Sequence, residues 1–369
     1  MKKNLVPRVR FKGFDDNWEQ GNIGEVFELT RGEVLSQHKI RNKKMGEYIY
    51  PVFSSQTLNN GLLGFYNNFL FKNSITWTTD GANAGTVLYR DGLFYATNVC
   101  GVMLQKTSIK PSSYFAHEIN VKVKKHVIKA GNPKLMINVL HEVLINFSKN
   151  KLEQEKISIL IENIDNLITL EEIKHNKLKQ LKETLLQKMF PEGNSKTPRI
   201  RFKGFDEEWK EEVLGKIIKS AYIGISSKIL ITGKYEVIQQ GITNIAGYTN
   251  EQPFENYEKI VLFGDHSLSV YKPKKPFLLA SDGIKAYFIE NTYGDYFYYL
   301  LGNNLPENEG YKRYSLILKE KNIWITYNKS EQQKIGDFFC KIDTLLDLYN
   351  SKLNKLKQIK EALLQKMFV

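Results

Sequence analysis

Residues 7–18 read PRVRFKGFDDNW, and residues 198–209 read PRIRFKGFDEEW. Nine of these twelve positions are identical, at an offset of 191 residues. A second pair follows, because residues 181–190 read LKETLLQKMF and residues 359–368 read IKEALLQKMF. The chain is therefore internally duplicated, and such repeats must be found before any fold is predicted.

The matching segments enclose two stretches that do not match, residues 26–148 and 217–328. Each copy thus opens with the motif, continues through a variable region and closes with a helix. The Glu-Gln pairs that open the helices, at 153–154 and 331–332, repeat at an offset of 178 residues. The predicted division is 1–148 and 191–328 for two variable domains with their opening motifs, and 149–190 and 329–369 for two helices.

The two helices carry a hydrophobic repeat of 3.5 residues. With position a at Ile157 and Ile335, seven of nine and eight of nine a and d positions are apolar. Such a repeat makes a narrow seam that winds around another helix. Each helix could instead pack on its neighbouring domain, but matching seams favour pairing of the two copies, antiparallel if a dyad relates them. The predicted coiled-coil interface comprises Ile157, Ile164, Leu178, Leu181, Ile335, Ile342, Leu356 and Ile359.

One seam position is polar in both helices, because Lys174 and Lys352 occupy the same d position. A polar residue in a seam costs stability and fixes the register of pairing. Position a holds Glu171 in the first helix and Tyr349 in the second. The two seams are therefore not equivalent.

The variable regions are predicted as short strands and turns. Residues 87–95 contain two β-prone runs around Asp91-Gly92, which predicts a hairpin. Helices are predicted after Pro111 and around residues 296–301. The fold class is therefore α+β, with two mixed domains, two long helices and a pseudo-two-fold internal repeat.

Composition excludes several classes of protein. The 369 residues are 42% hydrophobic and 12% aromatic, which excludes a disordered chain. No apolar run approaches the length of a membrane-spanning helix, and the basic start has no apolar core behind it. Cys100 and Cys340 match no metal or disulfide spacing, so we expect a reducing, cytoplasmic location.

The excess of positive charge is concentrated in the first domain. Residues 1–148 hold 19 basic and 11 acidic side chains, whereas residues 191–328 hold 18 and 17. The helical segments 149–190 and 329–369 hold 8 and 7, and 8 and 5. A basic first domain suits contacts with phosphates, although a solubilising surface has the same composition.

No catalytic signature is present in the sequence. Gly215-Lys216 and Gly233-Lys234 lack the Ser or Thr of a P-loop, and the six histidines lack metal-ligand spacing. No Asn-Pro-Pro-aromatic tetrapeptide of an amino-methyltransferase occurs. Residues 264–267, GDHS, are not flanked by a nucleophile elbow. We therefore predict a non-catalytic chain without a metal or cofactor of its own.

The polar residues near predicted turns suit contacts with DNA. Amide side chains can pair with adenine and hydroxyls with several base edges, while basic side chains position the phosphates. Alternating cations and aromatics at residues 311–314 also suit a nucleic-acid backbone. The candidates are Arg31, Arg41, Lys43, Lys44, Ser55, Gln56, Asn59, Thr79 and Asn83 in the first domain, and Gln239, Gln240, Asn244, His266, Ser267, Lys274, Lys275, Lys312 and Arg313 in the second.

The repeated P-R-[VI]-R-F-K-G-F-D-x-x-W motif resembles the opening of each half of type I restriction–modification specificity subunits. The E-Q-x-K-I start and L-L-Q-K-M-F end of each helix resemble their conserved regions, so the resemblance covers essentially the whole chain. That family commonly has a proline five residues before the Glu-Gln pair, where this chain has Ser148 and Thr326. The departure bears only on the turn before each helix.

The resemblance implies a protein of host defence and DNA modification that binds double-stranded DNA. Two target recognition domains would read a bipartite, asymmetric site, and an antiparallel coiled coil would separate them. Two modification (methyltransferase) subunits and two restriction (translocase/nuclease) subunits would be the partners. S-adenosylmethionine, ATP and Mg²⁺ would bind to those partners. The alternatives are a subunit acting only with methyltransferase subunits, a coiled-coil adaptor, and a stand-alone enzyme with an unrecognised cofactor site.

Overall fold

The computed structural model describes residues 5–55, 58–241 and 243–368. The chain forms two compact units. The first unit comprises residues 1–170 and 353–369, and the second comprises residues 171–352. Both boundaries fall inside the two long helices, so each helix contributes one half to each unit. In the described part of the chain, no helix is both long and apolar enough to span a bilayer.

The elements follow a similar order in both units, with one more strand in the second unit. The first unit contains β1 (Glu19–Asn22), α1 (Ile23–Val26), β2 (Phe27–Arg31), β3 (Tyr50–Phe53), β4 (Leu62–Tyr66), β5 (Phe71–Thr78), β6 (Val87–Ala96), β7 (Cys100–Gln105), α2 (Ser113–Val123), α3 (Ile137–His141) and β8 (Leu144–Phe147). The first long helix, α4, spans Lys151–Met189. The second unit contains β9 (Lys210–Val213), α5 (Leu214–Ile217), β10 (Ile218–Ser220), β11 (Tyr235–Ile238), β12 (Ile245–Thr249), β13 (Val261–Gly264), β14 (Val270–Tyr271), β15 (Phe277–Leu279), β16 (Ile284–Ile289), α6 (Gly294–Asn303), α7 (Tyr314–Lys319) and β17 (Asn322–Ile325). The second long helix, α8, spans Lys329–Met367.

The two variable regions share a topology although their sequences do not match. The first unit has a six-stranded sheet of order β2-β7-β5-β6-β3-β4, and the second has sheets β10-β16-β13-β14 and β12-β11-β15. In both, the third strand of the unit pairs antiparallel with the fourth, β3 with β4 and β11 with β12. It also pairs parallel with the strand on its other side, β6 or β15. The α+β fold class is therefore confirmed, and the duplication extends into the variable regions.

The predicted hairpin at residues 87–95 is wrong, because these residues form the single strand β6. Strand β6 pairs antiparallel with β5 on both sides of Gly92, with a bulge between Lys72 and Ser74. Gly92 has φ +73° and donates its N–H to Asn73 Oδ1 at 2.7 Å, so its turn chemistry makes a bulge instead of a turn. The two predicted helices are confirmed as α2 and α6.

The opening motif is held by a buried ion pair in each unit. Arg10 binds Glu153 through two hydrogen bonds of 2.6 and 3.0 Å. Arg201 binds Glu331 with the same two distances. Both carboxylates are fully buried, so the bidentate guanidinium supplies the charge that each needs. The repeated arginine therefore fixes the opening motif to the first turn of the long helix.

The end of each long helix closes one unit. In the first unit, Phe368 after α8 packs on Trp18 and Tyr114, with ring centroids 6.1 and 5.4 Å apart. In the second unit, Phe190 after α4 packs in the same way on Trp209 and Tyr296, at 5.8 and 6.1 Å. The repeated Met-Phe ends are therefore core residues.

The turn before each long helix explains both the Glu-Gln pair and the missing proline. Asn328 Oδ1 accepts the N–H groups of Ser330 and Glu331, and thus caps α8. Gln332 Nε2 donates to Thr326 O at 2.7 Å, while Thr326 Oγ1 accepts the Asn328 N–H. Asn150, Gln154 and Ser148 make the same bonds before α4. Side-chain hydrogen bonds therefore fix the turn at the position where a proline is common.

The glycine that follows each opening motif has no room for a side chain, because a short helix of the same unit lies against it. A Cβ on Gly24 would lie 1.9 Å from the His141 ring of α3. A Cβ on Gly215 would lie 2.7 Å from Lys319 O of α7. The glycine therefore lets α1 or α5 lie directly against the next short helix in its unit.

The long helices pair antiparallel within each unit. In the first unit, Ile164 and Ile168 of α4 pack with Leu353 and Leu356 of α8. In the second unit, Leu178 of α4 packs in the cluster that contains Ile335 and Ile342 of α8. Ile157 is buried in the core of the first unit. The beginning of one helix thus lies beside the end of the other, as predicted.

The seam has the predicted seven-residue period, and its a positions are those predicted. Each d position, however, lies one residue later than predicted. Position 161 is buried where 160 was predicted, and position 339 is buried where 338 was predicted. Leu181 and Ile359 are 50% and 41% exposed, so their assignment to the interface is corrected. At four of the predicted positions, the residue predicted to lie in the seam and the residue after it are both apolar. The hydrophobic period alone therefore does not show which of the two lies in the seam.

Lysines occupy the seam beside those two corrected positions. Lys182 Nζ lies 2.5 Å from Asp343 Oδ1 in the second unit. Lys360 Nζ lies 2.5 Å from Asp165 Oδ1 in the first unit. The two ion pairs are equivalent at the offset of 178 residues. A seam that contains a lysine with its own carboxylate favours one register over its neighbours.

The predicted polar seam residues Lys174 and Lys352 lie outside the seam, at 46% and 58% side-chain exposure. The buried polar residue is Glu171, whose Oε1 lies 3.3 Å from Lys174 Nζ and 2.9 Å from Lys352 Nζ. The hydrogen bond from Lys352 and that from Lys174 hold the pKa of Glu171 below its usual value. Glu171, and not the two lysines, is thus the polar residue in this part of the seam, and its role in fixing the register stays a prediction.

Candidate nucleic-acid interface

Three loops of the first unit converge at one place, which we call the first junction. They follow β3, β5 and β6. Three hydrogen bonds hold them together: Thr97 N–H to Phe53 O (2.9 Å), Thr79 N–H to Val99 O (3.1 Å), and Asn83 Nδ2–H to Ser55 O (3.1 Å). Sequence-distant polar residues are thereby placed side by side.

The second unit builds an equivalent second junction from the loops after β11, β13 and β15. Its bonds are Ala280 N–H to Ile238 O (2.8 Å), Asp265 N–H to Gly283 O (2.9 Å), and His266 N–H to Gln240 Oε1 (3.3 Å). The loops that carry most of the predicted contacts are therefore the ones that meet in each unit. Binding residues often occupy loops held by a rigid scaffold.

A fourth segment joins each junction from the side of the short helices α3 and α7. Leu135 N–H bonds Thr79 O, and Tyr314 N–H bonds Asp265 O, both at 2.9 Å. This contact brings Arg313 to the second junction and Lys134 to the first. Lys134 was not among the predicted contacts, and its Nζ lies 3.8 Å from Asp80. The turn signal of residues 131–133, GNP, just before this lysine could have identified it.

The first-junction candidates differ in accessibility. Ser55 and Asn83 are half-buried at the junction, and Asn59 is exposed in the left-handed region with φ +50°. Thr79 is only 1% exposed, and its hydroxyl lies 2.6 Å from Asp80 Oδ2 and 3.1 Å from Val99 O. The predicted DNA contact by Thr79 is therefore corrected, because its side chain supports the loop from inside. Gln56 lies outside the described residues.

The basic candidates of the first unit occupy two places. Arg31 is exposed at the end of β2, where the next residue donates its N–H to Cys100 O beside the junction. Arg41, Lys43 and Lys44 are exposed beside β4, which Arg41 joins through backbone hydrogen bonds to Phe65. They form a separate basic surface along the edge of the sheet.

The corresponding segment of the second unit carries fewer cations, with Lys228 and Lys234 exposed. Leu230 bridges β12 at the position that corresponds to Arg41 beside β4. Eight residues lie between Arg41 and the start of β3, but four lie between Leu230 and the start of β11. The longer segment of the first unit carries Lys43 and Lys44.

In the second junction, several polar side chains are already paired. Gln239 Nε2 donates to Thr243 O and Oγ1, and its N–H bonds Asn244 O. Ser267 Oγ lies 2.7 Å from Ser269 Oγ. These bonds shape the two loops and leave fewer groups for a ligand.

The second-unit cations are divided between paired and exposed groups. Lys275 lies 2.9 Å from Glu236, and this hydrogen bond raises the pKa of Lys275. Lys312 pairs with Glu309, which raises the pKa of Lys312 in the same way. Lys274 and Arg313 are exposed. The exposed Lys274 and Arg313 can contact phosphates directly, and the paired Lys275 and Lys312 can do so after exchanging partners.

A buried arginine that the sequence did not identify lies under the first junction. Arg90 is 8% exposed, and burial lowers the pKa of its guanidinium to about 10. It stacks 3.7 Å from the centre of the Phe53 ring and donates to Thr76 Oγ1 and Asn60 O. Arg90 therefore ties the loop after β3 to the sheet. Because residues 87–95 were predicted to form a hairpin, this role of Arg90 was not identified from the sequence.

The described residues of the junctions form no cluster of metal-ligating side chains. Within residues 5–55, 58–241 and 243–368, no three His, Cys, Asp or Glu side chains gather closely enough to hold a metal ion. Both cysteines are free, and burial raises the pKa of the Cys100 thiol to about 11. What the junctions offer is amides, hydroxyls, an imidazole and nearby cations, which is the chemistry of groups that contact nucleic acid.

Each unit of the duplicated α+β scaffold thus carries a polar junction held by equivalent loops. Residues 15–180 match the family model described as type I restriction modification DNA specificity domain. A Mycoplasma pneumoniae chain named as the N-terminus of a type I specificity subunit is 39% identical over 142 residues, which cover 38% of this chain and 74% of that relative. The chain therefore belongs to the type I restriction–modification specificity subunits.

Two further comparisons cover the whole chain. A type I specificity subunit of Mycoplasma genitalium is 25% identical over 382 residues, covering 99% of this chain and 97% of the relative. The crystal structure of a type I restriction–modification S subunit from M. genitalium matches with a TM-score of 0.71, at 20% identity and 99% coverage of both chains. At that identity the structural likeness shows the shared fold.

Proposed function

We propose that this specificity subunit binds double-stranded DNA and reads a bipartite, asymmetric site, with one half-site for each unit. One observation carries the proposal. The same three-loop junction occurs in both units, but with Ser55 and Asn83 in one and Gln240 and His266 in the other. Equal scaffolds with unlike polar groups suit the recognition of two unlike base sequences.

The division of labour follows from the chemistry of the groups. Arg41, Lys43 and Lys44 are exposed cations away from the junction, which suits them to phosphate contacts that set position and affinity. The amides and the imidazole at the junctions have the donors and acceptors that distinguish base edges. We infer that charge supplies most of the affinity and that the junctions supply the specificity.

Matched apolar groups on the two helices support docking of two copies of one partner. Leucine or isoleucine is exposed at three equivalent positions of α4 and α8, at the offset of 178 residues. The pairs, with exposures, are Leu167 (46%) and Leu345 (46%), Leu170 (47%) and Leu348 (60%), and Leu181 (50%) and Ile359 (41%). Exposed apolar groups that recur at matching positions suit an interface. We propose that two modification subunits dock there.

The proposed chain is non-catalytic, and its partners supply the chemistry in the cytoplasm. S-adenosylmethionine would bind to the modification subunits, and ATP and Mg²⁺ to two restriction subunits. The same features fit a subunit that works with methyltransferase subunits alone. Detection of restriction of unmodified DNA would separate these two assemblies.

Base-resolution mapping of N6-methyladenine tests the proposal. The chain is expressed with a compatible modification subunit, and an empty-vector strain is the control. We expect a new split motif with a methylated adenine in each half, on opposite strands. If the complex assembles and no new motif appears, the proposal fails and a coiled-coil adaptor replaces it.

A further inference from the structure

His266 is held on three sides at the second junction. Its Nδ1 lies 2.9 Å from Lys312 O, and its ring stacks on that of Tyr311 at 4.6 Å between centroids and 6° between planes. Its backbone N–H bonds Gln240 Oε1 at 3.3 Å. The side chain is thus oriented before any ligand arrives.

The bond to Lys312 O fixes which ring nitrogen carries the hydrogen. A carbonyl oxygen can only accept, so Nδ1 must donate. In the neutral imidazole, Nε2 then carries the lone pair and acts as an acceptor. His266 therefore presents one acceptor of fixed orientation.

Several neighbouring polar side chains are committed to other bonds. Gln239 donates to Thr243, and Ser267 pairs with Ser269. The Lys312 ammonium pairs with Glu309. The imidazole is therefore a pre-oriented group suited to contact a base at this junction.

We propose that His266 Nε2 accepts a hydrogen bond from an exocyclic amine of one base in the second half-site, adenine N6 or cytosine N4. This inference rests on the proposed function. In the major groove these amines are the donors, whereas guanine N7 and O6 and thymine O4 are acceptors that would face the Nε2 lone pair. Phosphate oxygens are acceptors too, so the Nε2 lone pair of this tautomer discriminates against backbone contact.

Tyr311 is the positioning residue in this arrangement. It is 86% exposed, an unusual position for a large aromatic ring, and its parallel face keeps the imidazole from rotating. A phenylalanine would keep the stack, whereas an alanine would release the ring. The two substitutions separate the stacking face from the hydroxyl.

The test measures binding of the complex of the full chain with its modification subunits to duplexes of the mapped site. In each duplex one amine of the second half-site is removed, by replacing adenine with purine or cytosine with 2-pyrimidinone. For the natural chain, one such duplex should bind about three- to tenfold more weakly, the effect of one hydrogen bond. The His266→Ala complex should lose the same affinity for the natural site and no more when that amine is removed.

Three variants complete the design. Tyr311→Phe should behave as the natural chain, and Tyr311→Ala should lose part of the discrimination. Tyr222→Ala removes a 94% exposed tyrosine elsewhere in the same unit and should change nothing. Unchanged recognition of the first half-site shows that each variant is folded.

Two results would overturn different claims. If His266→Ala discriminates every amine removal as the natural chain does, the role of His266 is refuted while the split site stands. If the natural complex itself prefers no sequence, the proposed function fails.

Discussion

Glu118 is a carboxylate buried on α2, with Oε1 accepting the Asn146 N–H at 3.0 Å. Burial raises its pKa to about 7 from an ordinary 4.5. Between these pH values the folded chain keeps a proton that the unfolded chain has lost. The stability of the folded chain should therefore decline as pH rises from about 4.5 to about 7.

Glu118→Gln should remove that decline, because the amide keeps an acceptor for Asn146 without a charge. We expect a gain of about 1–3 kcal/mol in the free energy of unfolding at pH 8 and little change near pH 4. Denaturant unfolding of both chains across pH measures the difference. A difference that does not vary with pH would show that Glu118 titrates normally.

The sequence predicted some of the residues that lie at the junctions and missed others. The turn residues Gln240, His266 and Asn83 lie at the junctions because turn chemistry marks the loops that meet there. Thr79 has the same chemistry but points inward, since side-chain direction depends on the sheet that it joins. Lys134 and Arg90 were missed because their neighbours at the junction are distant in sequence.

At the scale of elements, the phase of the long helices shows what periodicity leaves open. Leu160 and Ile161 are both apolar, so either completes a 3.5-residue repeat. Packing selects the second of each such pair, and the same shift places Lys182 in the seam. Duplication and helix pairing were predictable, but the phase depended on the ion pairs.

Lengthening both helices together should change the spacing of the half-sites. Seven residues are inserted between Leu170 and Glu171 and seven between Lys352 and Leu353, which preserves the seam. We expect a gap longer by about three base pairs, since seven helical residues add about 10 Å and a base pair about 3.4 Å. Methylation mapping measures the gap.

A matched control inserts four residues into α4 alone. This insertion shifts one seam against the other and should lower the melting temperature. If the double insertion leaves the gap unchanged, the helices do not set the spacing.

At the scale of the molecule, the two units should differ in how they bind DNA, because the excess of positive charge lies mainly in the first. Lys43→Ala with Lys44→Ala should weaken binding to every sequence and lower the slope of log K against log salt by about 2. Lys12→Ala with Lys203→Ala, both exposed in the opening motifs, is the control. A change in the preferred bases instead would place Lys43 and Lys44 among the groups that read sequence.

The shared topology of the two variable regions could not be predicted from this one sequence. Strand pairing depends on contacts such as Phe53 with Ala96 and Ile238 with Leu279, which different side chains satisfy equally well. The frame was predictable because its buried ion pairs tolerate few substitutes, as Arg10 with Glu153 illustrates.

The central claim is that each unit reads its own half-site. Methylated motifs are mapped side by side for the natural chain, for Asn83→Ala at the first junction and for Gln240→Ala at the second. We predict that Asn83→Ala relaxes a position in one half only and that Gln240→Ala relaxes a position in the other half only. Relaxation of the same half by both variants, or of both halves by either, would contradict the account.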